Sequence, residues 1–454
     1  MKIRTLTFSN LCSIWQPRLD WATHWSGVMK LAAHGMIAVF TGLLLSTASA
    51  QAADLGGDCC ADLEERVAEL EATTARKGNR RMSLTVSGQI NRTILYWNDG
   101  DRSGTYAGLD NVSTSSRFIF NGEARISPNV KAGFEIMTEW NLGGRTSSVD
   151  QNSPDGGAIG AFAAADGGLG VRRAFWWLED KNLGRVSVGR HNPGGPVGVI
   201  DLGGVAISAS AAPADVGGGF LVAGTTTRMS AVINPSYGND RLEGIRYDSP
   251  TIGGFVFQAF WGEDDIWTAS IRYAGEMGGI RVAAGIGYEE QNSSPTQTVQ
   301  LDNGARNLDS EWSASLSLMH VATGLFVQGQ YARSEFLNGS DAKFWLVQGG
   351  ISKNWFGPGN TSFYGEYGEA TDYIRSGPAA VGAASPAAPN FVNASSEVTF
   401  WGLGVVQQID AAAMELYLGW RRFDTSVSGI LGGDATGNGS SELDLVHGGA
   451  RIRF

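Results

Sequence analysis

Apolar and polar residues alternate with a period of two in segment after segment from residue 82 onward. In residues 117–125, for example, Phe118 and Phe120 alternate with Arg117, Asn121 and Glu123. Such a segment forms a β-strand with one apolar and one polar face. The same pattern recurs at residues 82–90, 130–141, 280–289 and 311–318. The chain is therefore predicted to be all-β, and its apolar faces need an apolar covering.

The connections between these segments sort into two lengths. Short turns are predicted at residues 127–129, 180–184, 249–254, 276–279, 321–324, 355–360 and 409–412. Longer polar stretches cover residues 98–116, 143–170, 192–240, 292–309, 370–396 and 424–441. Counting strands between these breaks gives sixteen. An even number of strands of ~10 residues, with short turns at one end and long loops at the other, is typical of an outer-membrane barrel.

Two all-β architectures differ in what covers these apolar faces. A soluble sandwich would bury these faces between two sheets. A closed barrel turns them to lipid and leaves no strand edge, which lipid demands because an unpaired backbone amide there costs several kcal/mol. We therefore predict a 16-stranded antiparallel transmembrane β-barrel over residues 81–454. Aromatic residues near the strand ends suit its interfacial girdles: Tyr96, Trp97, Trp140, Trp261, Trp267, Tyr273, Tyr331, Trp345 and Trp420.

Residues 1–52 have the pattern of a secretory signal peptide. Lys30 precedes an apolar run at residues 36–45, and small residues follow up to Ala50 and Ala52, the two expected cleavage positions. The run is far shorter than the ~20 residues of a spanning helix, so we expect no helical anchor. Because Met29 could itself begin a signal peptide, residues 1–28 are either translated or an over-extended start.

Residues 53–80 carry a helical pattern instead. Leu63, Val67 and Leu70 recur at spacings of four and three with acidic flanks, which predicts a short periplasmic, coiled-coil-like helix. Two heptads are marginal alone, so this seam would need several copies held together by the barrel. A solvated helix or flexible tether is the alternative. Nearby Cys59 and Cys60 allow neither a disulfide framework nor a zinc site, which leaves plain thiols or cross-links between chains.

Charge and motif content exclude further classes. The chain carries 34 Lys and Arg against 45 Asp and Glu, a formal charge of −11, so nucleic acid is not expected as a partner. The histidines His191, His320 and His447 lie in no hydrolase or metalloprotease motif. We therefore expect no catalytic residue, no metal and no cofactor, with a hydrolase that uses one barrel histidine as the alternative.

Several local landmarks now combine. They are residues 62–71, 116–123, 172–175, 184–190 and 245–250, followed by the terminal stretch with Ile452 and Phe454. With these landmarks, residues 54–454 resemble the general diffusion porins of Gram-negative outer membranes, most closely those of alphaproteobacteria. Ile452 and Phe454 are similar to the C-terminal signal that the barrel-assembly machinery recognises. The resemblance implies a homotrimer in the bacterial outer membrane, in contact with lipid and lipopolysaccharide and open to ions and small hydrophilic solutes.

The resemblance also implies a pore narrowed by a loop folded inward at about residues 192–240. Many family members carry Pro-Glu-Phe-Gly-Gly in this loop, and the sequence Ile-Asp-Leu-Gly-Gly at residues 200–204 places Asp201 where they have glutamate. Asp215 is the other loop acid. Opposed acids and bases would then impose a transverse field that sorts solutes.

Basic groups are expected on the opposite wall. Arg117 and Arg172 match the family's wall arginines, and alternation turns them inward if Phe118, Phe120, Phe175 and Trp177 take the other face. Arg125 and Lys131 share that inward face nearer the periplasmic turn and are secondary candidates.

Two further functions remain open at this point. A substrate-specific channel for sugars or organic anions would need aromatic side chains along its path, and the chain offers Trp176, Trp177 and Trp401. A mainly structural barrel would use the helical segment to tether the membrane to other envelope components.

Overall fold

The computed structural model describes residues 82–140, 144–153, 169–222, 227–233, 241–291, 299–301, 304–306, 308–336, 341–373, 390–431 and 441–454. All of them belong to one compact unit, Leu63–Phe454. The predicted signal peptide at residues 1–52 and the predicted helical segment at residues 53–80, with Leu63, Val67 and Leu70, lie outside the described residues.

The described residues form a β-structure with six single helical turns. These turns are Val112–Thr114, Ala206–Ala209, Pro213–Asp215, Met229–Val232, Glu263–Asp265 and Asp410–Ala412. The strands are β1 (Ser83–Asn98), β2 (Ser103–Asp110), β3 (Arg117–Arg125), β4 (Val130–Trp140), β5 (Leu169–Asp180), β6 (Gly184–His191), β7 (Leu242–Asp248), β8 (Phe255–Gly262), β9 (Trp267–Met277), β10 (Ile280–Glu290), β11 (Val299–Leu301), β12 (Gly304–Arg306), β13 (Leu308–His320), β14 (Leu325–Phe336), β15 (Asp341–Lys353), β16 (Thr361–Thr371), β17 (Asn390–Ile409), β18 (Met414–Leu431) and β19 (Glu442–Arg453).

One antiparallel sheet closes on itself. Seventeen of the described strands belong to it, and β11 and β12 form a separate hairpin. The two halves of β1 pair with β3 and β2 along one edge, and the other edge of β1 pairs with β19. Because β2 and β3 together occupy one position around the sheet, the barrel has sixteen strands. The predicted closed 16-stranded antiparallel barrel is confirmed.

One predicted loop is wrong. Residues 98–116 were expected to form a long polar connection, but residues 103–110 form β2 and pair with β1. Only Asp99 to Arg102 make the turn, in which the Asp99 carboxylate accepts the backbone N–H of Arg102 at 2.7 Å. The strand was missed because Gly104 and Gly108 weaken its alternation and resemble turn residues.

The outward face of the barrel is apolar, as the alternation predicts. Leu316 is 50% exposed on β13, whereas its neighbours Ser315 and Ser317 are buried on the inward face. Aromatic residues on the outward face include the predicted girdle members Tyr96, Trp261, Trp267, Tyr273, Tyr331, Trp345 and Trp420. Closed strands satisfy the backbone while this face meets lipid.

Of the two remaining predicted girdle residues, one lies on the inward face. Trp97 is buried on the inward face, with its ring centroid 5.5 Å from that of Phe220. The side chain of Trp140 lies outside the described residues.

An irregularity in the pairing of β4 with β5 corrects a second expectation. Met137 pairs with Arg173 and Thr138 pairs with Val171, so Arg172 is an extra residue on β5. Such a bulge turns two consecutive side chains to the same face. Arg172 therefore points inward as predicted, but Phe175 and Trp177 do so as well. The prediction that these two aromatics lie on the outer face is wrong, since Trp177 is 7% exposed while Trp176 is 55% exposed.

Within the described part of the chain, no helix is both long and apolar enough to cross a membrane.

Candidate pore constriction

The segment that joins β6 to β7 runs along the inner wall of the barrel. Its first part bonds successively to Thr268 and Ser270 on β9, to Ser313 and Ser315 on β13 and to Gln328 on β14. We call the described residues of this segment, 192–222, 227–233 and 241, the inner loop. Irregular backbone inside a barrel needs partners for its N–H and C=O groups, and this row of neutral side chains supplies them.

Glycine lets the inner loop lie close to the wall at residues 203 and 204. The carbonyl of Gly203 accepts the Ser362 hydroxyl at 2.8 Å, and a Cβ on Gly203 would lie 2.5 Å from the ring of Phe326. Gly204 has a φ of 70°, a left-handed conformation that glycine adopts without the strain a Cβ brings. The path of the backbone therefore favours glycine at both positions of the Ile-Asp-Leu-Gly-Gly stretch.

A buried ion pair fixes the next part of the inner loop. Arg421 on β18 donates to Glu366 on β16 at 2.8 Å and to the carbonyl of Pro213 at 3.1 Å. It also donates to the carbonyl of Ala209. The Arg421 and Glu366 side chains are 2% and 1% exposed. Because each charge is fully paired, the guanidinium anchors the loop backbone without leaving an orphaned charge.

The later part of the inner loop forms an apolar core inside the barrel. Phe220, Met229 and Val232 are completely buried there. They belong to one cluster with inward side chains of the wall, among them Leu95, Leu346, Phe344, Phe400, Phe423 and Leu445. The later part of the loop therefore fills the lumen beside β14–β19 and β1, while its first residues bond to β7 and β9. The inward side chains of Arg172 and Arg173 on β5 stay 22% and 31% exposed.

Asp201 lies at the edge of the inner loop. One of its carboxylate oxygens accepts the backbone N–H of Ala206 at 2.7 Å, and the other accepts the Gln328 amide at 3.0 Å. A cleft of about 120 Å³ adjoins it, and Arg451 and Glu415 line the same cleft. Arg451 is the base that lines this cleft together with Asp201, and the predicted partner Arg117 does not line it.

Asp215 lies at the turn where the inner loop meets residues 144–153. Its carboxylate accepts the Ser210 hydroxyl at 2.7 Å, and its carbonyl accepts the Thr146 hydroxyl at 2.6 Å. Burial raises the pKa of the Asp215 carboxyl, and the Ser210 hydrogen bond and the charge of Arg172 oppose that rise. The structure therefore places Asp215 within electrostatic reach of Arg172.

The predicted wall arginines Arg117 and Arg172 lie together around Glu139. Arg172 contacts the Glu139 carboxylate at 2.6 Å, and Arg145 contacts it at 3.3 Å. Arg117 pairs with Glu139 in the strand register but donates to the carbonyl and hydroxyl of Ser115, at 2.9 Å and 3.1 Å. One carboxylate thus stands among three guanidiniums.

Arg125 and Lys131 are not part of this group. They pair with each other across the turn at the short-turn end of β3 and β4. Lys131 contacts Glu123 at 2.7 Å, and Arg125 donates to the carbonyl of Pro128. Both side chains therefore lie at the barrel mouth, away from the inner loop.

Three inward arginines were missed by the sequence analysis. Arg173 contacts Glu135 at 2.7 Å, Arg246 contacts Asp248 at 2.6 Å, and Arg272 donates to the Gln258 amide oxygen at 3.0 Å. Alternation could have found Arg246 and Arg272, since Ile245, Tyr247, Ile271 and Tyr273 flank them. Arg173 could not be found in this way, because only the bulge turns it inward.

The histidine on β19 contacts a serine of the inner loop. The His447 ring nitrogen Nε2 lies 3.3 Å from the Ser208 hydroxyl, which also lies 2.8 Å from the Tyr364 hydroxyl. Ser208 and His447 are almost completely buried, and His447 Nδ1 has no hydrogen-bond partner. A nucleophile needs access and an oriented base, so this contact suits anchoring of the loop. Among the described residues, no cluster of three His, Cys, Asp or Glu side chains could hold a metal ion.

A family model described as Gram-negative porin matches residues 38–429. The chain belongs to the Gram-negative porin family. With the closed sixteen-stranded barrel, this membership makes the porin a β-barrel of the outer membrane and a diffusion channel.

Solved structures similar to this porin include other outer-membrane channels. The anion-selective porin from Comamonas acidovorans is 16% identical, with a TM-score of 0.49 over 82% of this chain and 100% of that one. OmpF of Salmonella typhi in complex with daunomycin is 15% identical, with a TM-score of 0.48 over 83% of this chain and 99% of that one. DcaP of Acinetobacter baumannii is 13% identical, with a TM-score of 0.43 over 83% and 99%. A search of curated proteins returned no match.

Proposed function

We propose that ions and small hydrophilic solutes diffuse passively through this porin along the part of the lumen that the inner loop leaves free. The observation that carries the proposal is the position of the inner loop. It is bonded to the wall at β9, β13, β14, β16 and β18, whereas Arg172 and Arg173 remain 22% and 31% exposed. Water-accessible charges beside a narrowed passage sort solutes by size and charge without a deep bound state.

In this proposal Asp201 and Asp215 supply the acidic side of the constriction, and Arg117 and Arg172 supply the basic side. Arg125 and Lys131 lie at the periplasmic mouth, beyond the constriction for solutes that enter from outside the cell. The porin works as a channel and not as an enzyme, which accords with the burial of Ser208 and His447.

The proposal extends to the assembly. Membership in the porin family supports a homotrimer that contacts lipid and lipopolysaccharide, and the sequence landmarks favour the alphaproteobacterial members. Ile452 and Phe454 are 45% and 57% exposed, so they are accessible for recognition by the barrel-assembly machinery.

A sugar-specific channel is less well supported. Of its three candidate aromatics, Trp176 and Trp401 lie on the outward face, 55% and 42% exposed to the lipid side. Trp177 points inward but is covered by Arg185, whose guanidinium lies 4.3 Å from the ring centroid. None of the three offers a bare ring for a sugar to stack on.

Single-channel recording of the purified, refolded protein in a planar bilayer tests the proposed function. We expect large ohmic steps that close in thirds and are not blocked by added sugars. Saturable block by one sugar would instead favour a specific channel. Absence of conductance from protein with a normal barrel circular dichroism spectrum would contradict passive diffusion.

A further inference from the structure

Five inward arginines form a continuous group on the wall of strands β3–β9, and the start of the inner loop touches this group where Arg246 donates to the Asn192 carbonyl at 2.9 Å. Arg117 lies on β3, Arg172 and Arg173 on β5, Arg246 on β7 and Arg272 on β9. We call them the arginine arc. Each interacts electrostatically with the next: Arg117 with Arg172 and Arg173, Arg173 with Arg246, and Arg246 with Arg272. Guanidiniums remain charged at any pH that a cell reaches, so the arc is a fixed positive surface.

Carboxylates neutralise only part of this arc. Glu139, Glu135 and Asp248 contact Arg172, Arg173 and Arg246, respectively, at 2.6, 2.7 and 2.6 Å. Glu139 is also shared with Arg145.

Arg117 and Arg272 make their described hydrogen bonds to neutral acceptors only. Arg117 donates to Ser115, and Arg272 donates to Gln258. The five guanidiniums of the arc thus have three carboxylates in contact with them, one of which is shared with Arg145. The other inward pairs of this wall, Arg185 with Glu179 and Lys131 with Glu123, are each balanced.

The acids elsewhere inside the barrel do not balance this excess. Glu366 is paired with Arg421, and Glu415 is shared by Arg451 and Arg453. Glu289 and Glu311 are each 1% exposed, and they pair with each other near the external ends of β10 and β13.

The inner-loop acids are also largely occupied. Both carboxylate oxygens of Asp201 already accept hydrogen bonds, from Ala206 and Gln328. Burial favours the neutral form of Asp215, whose pKa is raised. The exposed charge that a solute meets in the passage is therefore predominantly positive.

We propose that the arginine arc makes this channel prefer small anions over cations, with Arg117 and Arg272 as the residues that determine the preference. The inference rests on the proposed function, since it requires an open channel. Fixed charges on a narrow, low-dielectric wall concentrate counter-ions locally. Charges beyond about 8–10 Å are screened at physiological salt, so the overall charge of −11 does not reverse the preference. Guanidiniums also match the planar geometry of carboxylate and phosphate groups.

The test is the zero-current potential of the purified protein in a planar bilayer under a tenfold KCl gradient. For the wild type we expect chloride to be several-fold more permeant than potassium, with the dilute side negative. The double variant Arg117→Gln/Arg272→Gln should lose most of this preference while it retains conductance. The matched control is Arg281→Gln, because Arg281 is inward on β10 but lies beside Glu276 at the short-turn end. The control should keep the wild-type ratio.

The outcomes separate the two levels of the proposal. A conducting wild type that prefers potassium would overturn the anion preference and leave the diffusion channel intact. A chloride preference that the double variant retains, or that the control loses to the same extent, would overturn the assignment to the arginine arc. A folded wild type without any conductance would overturn the proposed function and the anion preference together.

Discussion

Strands β14–β19 and strands β3–β9 both direct every second side chain into the barrel, but they place different chemistry there. On β14–β19 the inward side chains near the external end are apolar, such as Phe344, Phe400 and Phe423, and they pack against the inner loop. On β3–β9 the inward side chains include the arginine arc and its three carboxylates. The first side carries the apolar core formed with the inner loop. The second side contacts only the start of that loop and keeps the partly exposed charges of Arg172 and Arg173. The division shows that the interior of one barrel can be a protein core over one arc and a water channel over another.

The largest effect should come from breaking the anchor on the packed side. Arg421→Met leaves Glu366 as an uncompensated buried charge, which costs about 3–5 kcal/mol. It also removes the donor to Ala209 and Pro213, so we expect a larger single-channel conductance as the inner loop loosens. Urea unfolding in lipid vesicles measures the first effect, and bilayer recording measures the second. The double variant Arg421→Met/Glu366→Gln should recover part of the stability, and a single variant as stable as the wild type would contradict the anchor.

A second change compares two neighbours on β17 that face opposite ways. Phe400 is completely buried against Phe344 and Phe423, whereas Trp401 is 42% exposed on the outer face. Phe400→Ala should lower the free energy of unfolding by about 3–5 kcal/mol, since a cavity forms in a packed core. Trp401→Ala should cost less than half as much, because lipid fills the vacated space. Equal losses in urea unfolding would mean that the interior beside β14–β19 is not a core.

A smaller effect is expected where the inner loop bonds to the neutral side chains of the wall, such as Ser315 on β13. Ser315→Ala removes the acceptor of the Ile200 N–H, a bond of 3.0 Å, and should cost about 1 kcal/mol. Ser83→Ala is the control, because its hydroxyl bonds to Glu123 on the exposed surface. Hydrogen exchange of the Ile200 amide provides a local readout. Unchanged protection in Ser315→Ala would indicate that the loop is held without this bond.

The smallest effect concerns the charged side. As the pH falls from 7 to 4, the arginine arc stays charged, because guanidiniums do not lose their protons in this range. Asp215, whose pKa is raised by burial, is neutralised at a higher pH than an ordinary aspartate. We therefore expect the chloride-to-potassium permeability ratio to rise, by roughly twofold, as pH is lowered from 7 to 4. A ratio that falls over this interval would mean that the guanidiniums do not dominate the passage.

The barrel was predictable from the sequence because it rests on local periodicity. The outward face of Leu316 and the inward face of Arg117 follow directly from alternation. The site was less predictable, because it depends on pairing between distant strands. The bulge that turns Arg173, Phe175 and Trp177 inward is a property of the register between β4 and β5, and no single segment contains it.

The packed side of the wall was also hidden in the sequence. Residues 344–347, Phe-Trp-Leu-Val, are apolar on both faces of β15, so the pattern there cannot indicate which face meets lipid. Only the three-dimensional placement of Phe220 and Met229 of the inner loop against Leu346 and its neighbours shows why inward residues there are apolar. Likewise, the Arg421 and Glu366 pair joins two strands whose sequences carry no shared motif.

The pairing of β1 with β19 can form only after the last residues of the chain have been synthesised. The Thr93 hydroxyl bonds to the carbonyl of Gly448, 355 positions later, and Gly88 exchanges two backbone bonds with Phe454. Until those late residues have been synthesised, one edge of β1 lacks its neighbour and is a template on which another chain can pair. Contacts between such distant positions also form slowly. The barrel therefore cannot close before the chain is complete. We expect other proteins to cover the unpaired edge of β1 while the polypeptide is carried to the membrane.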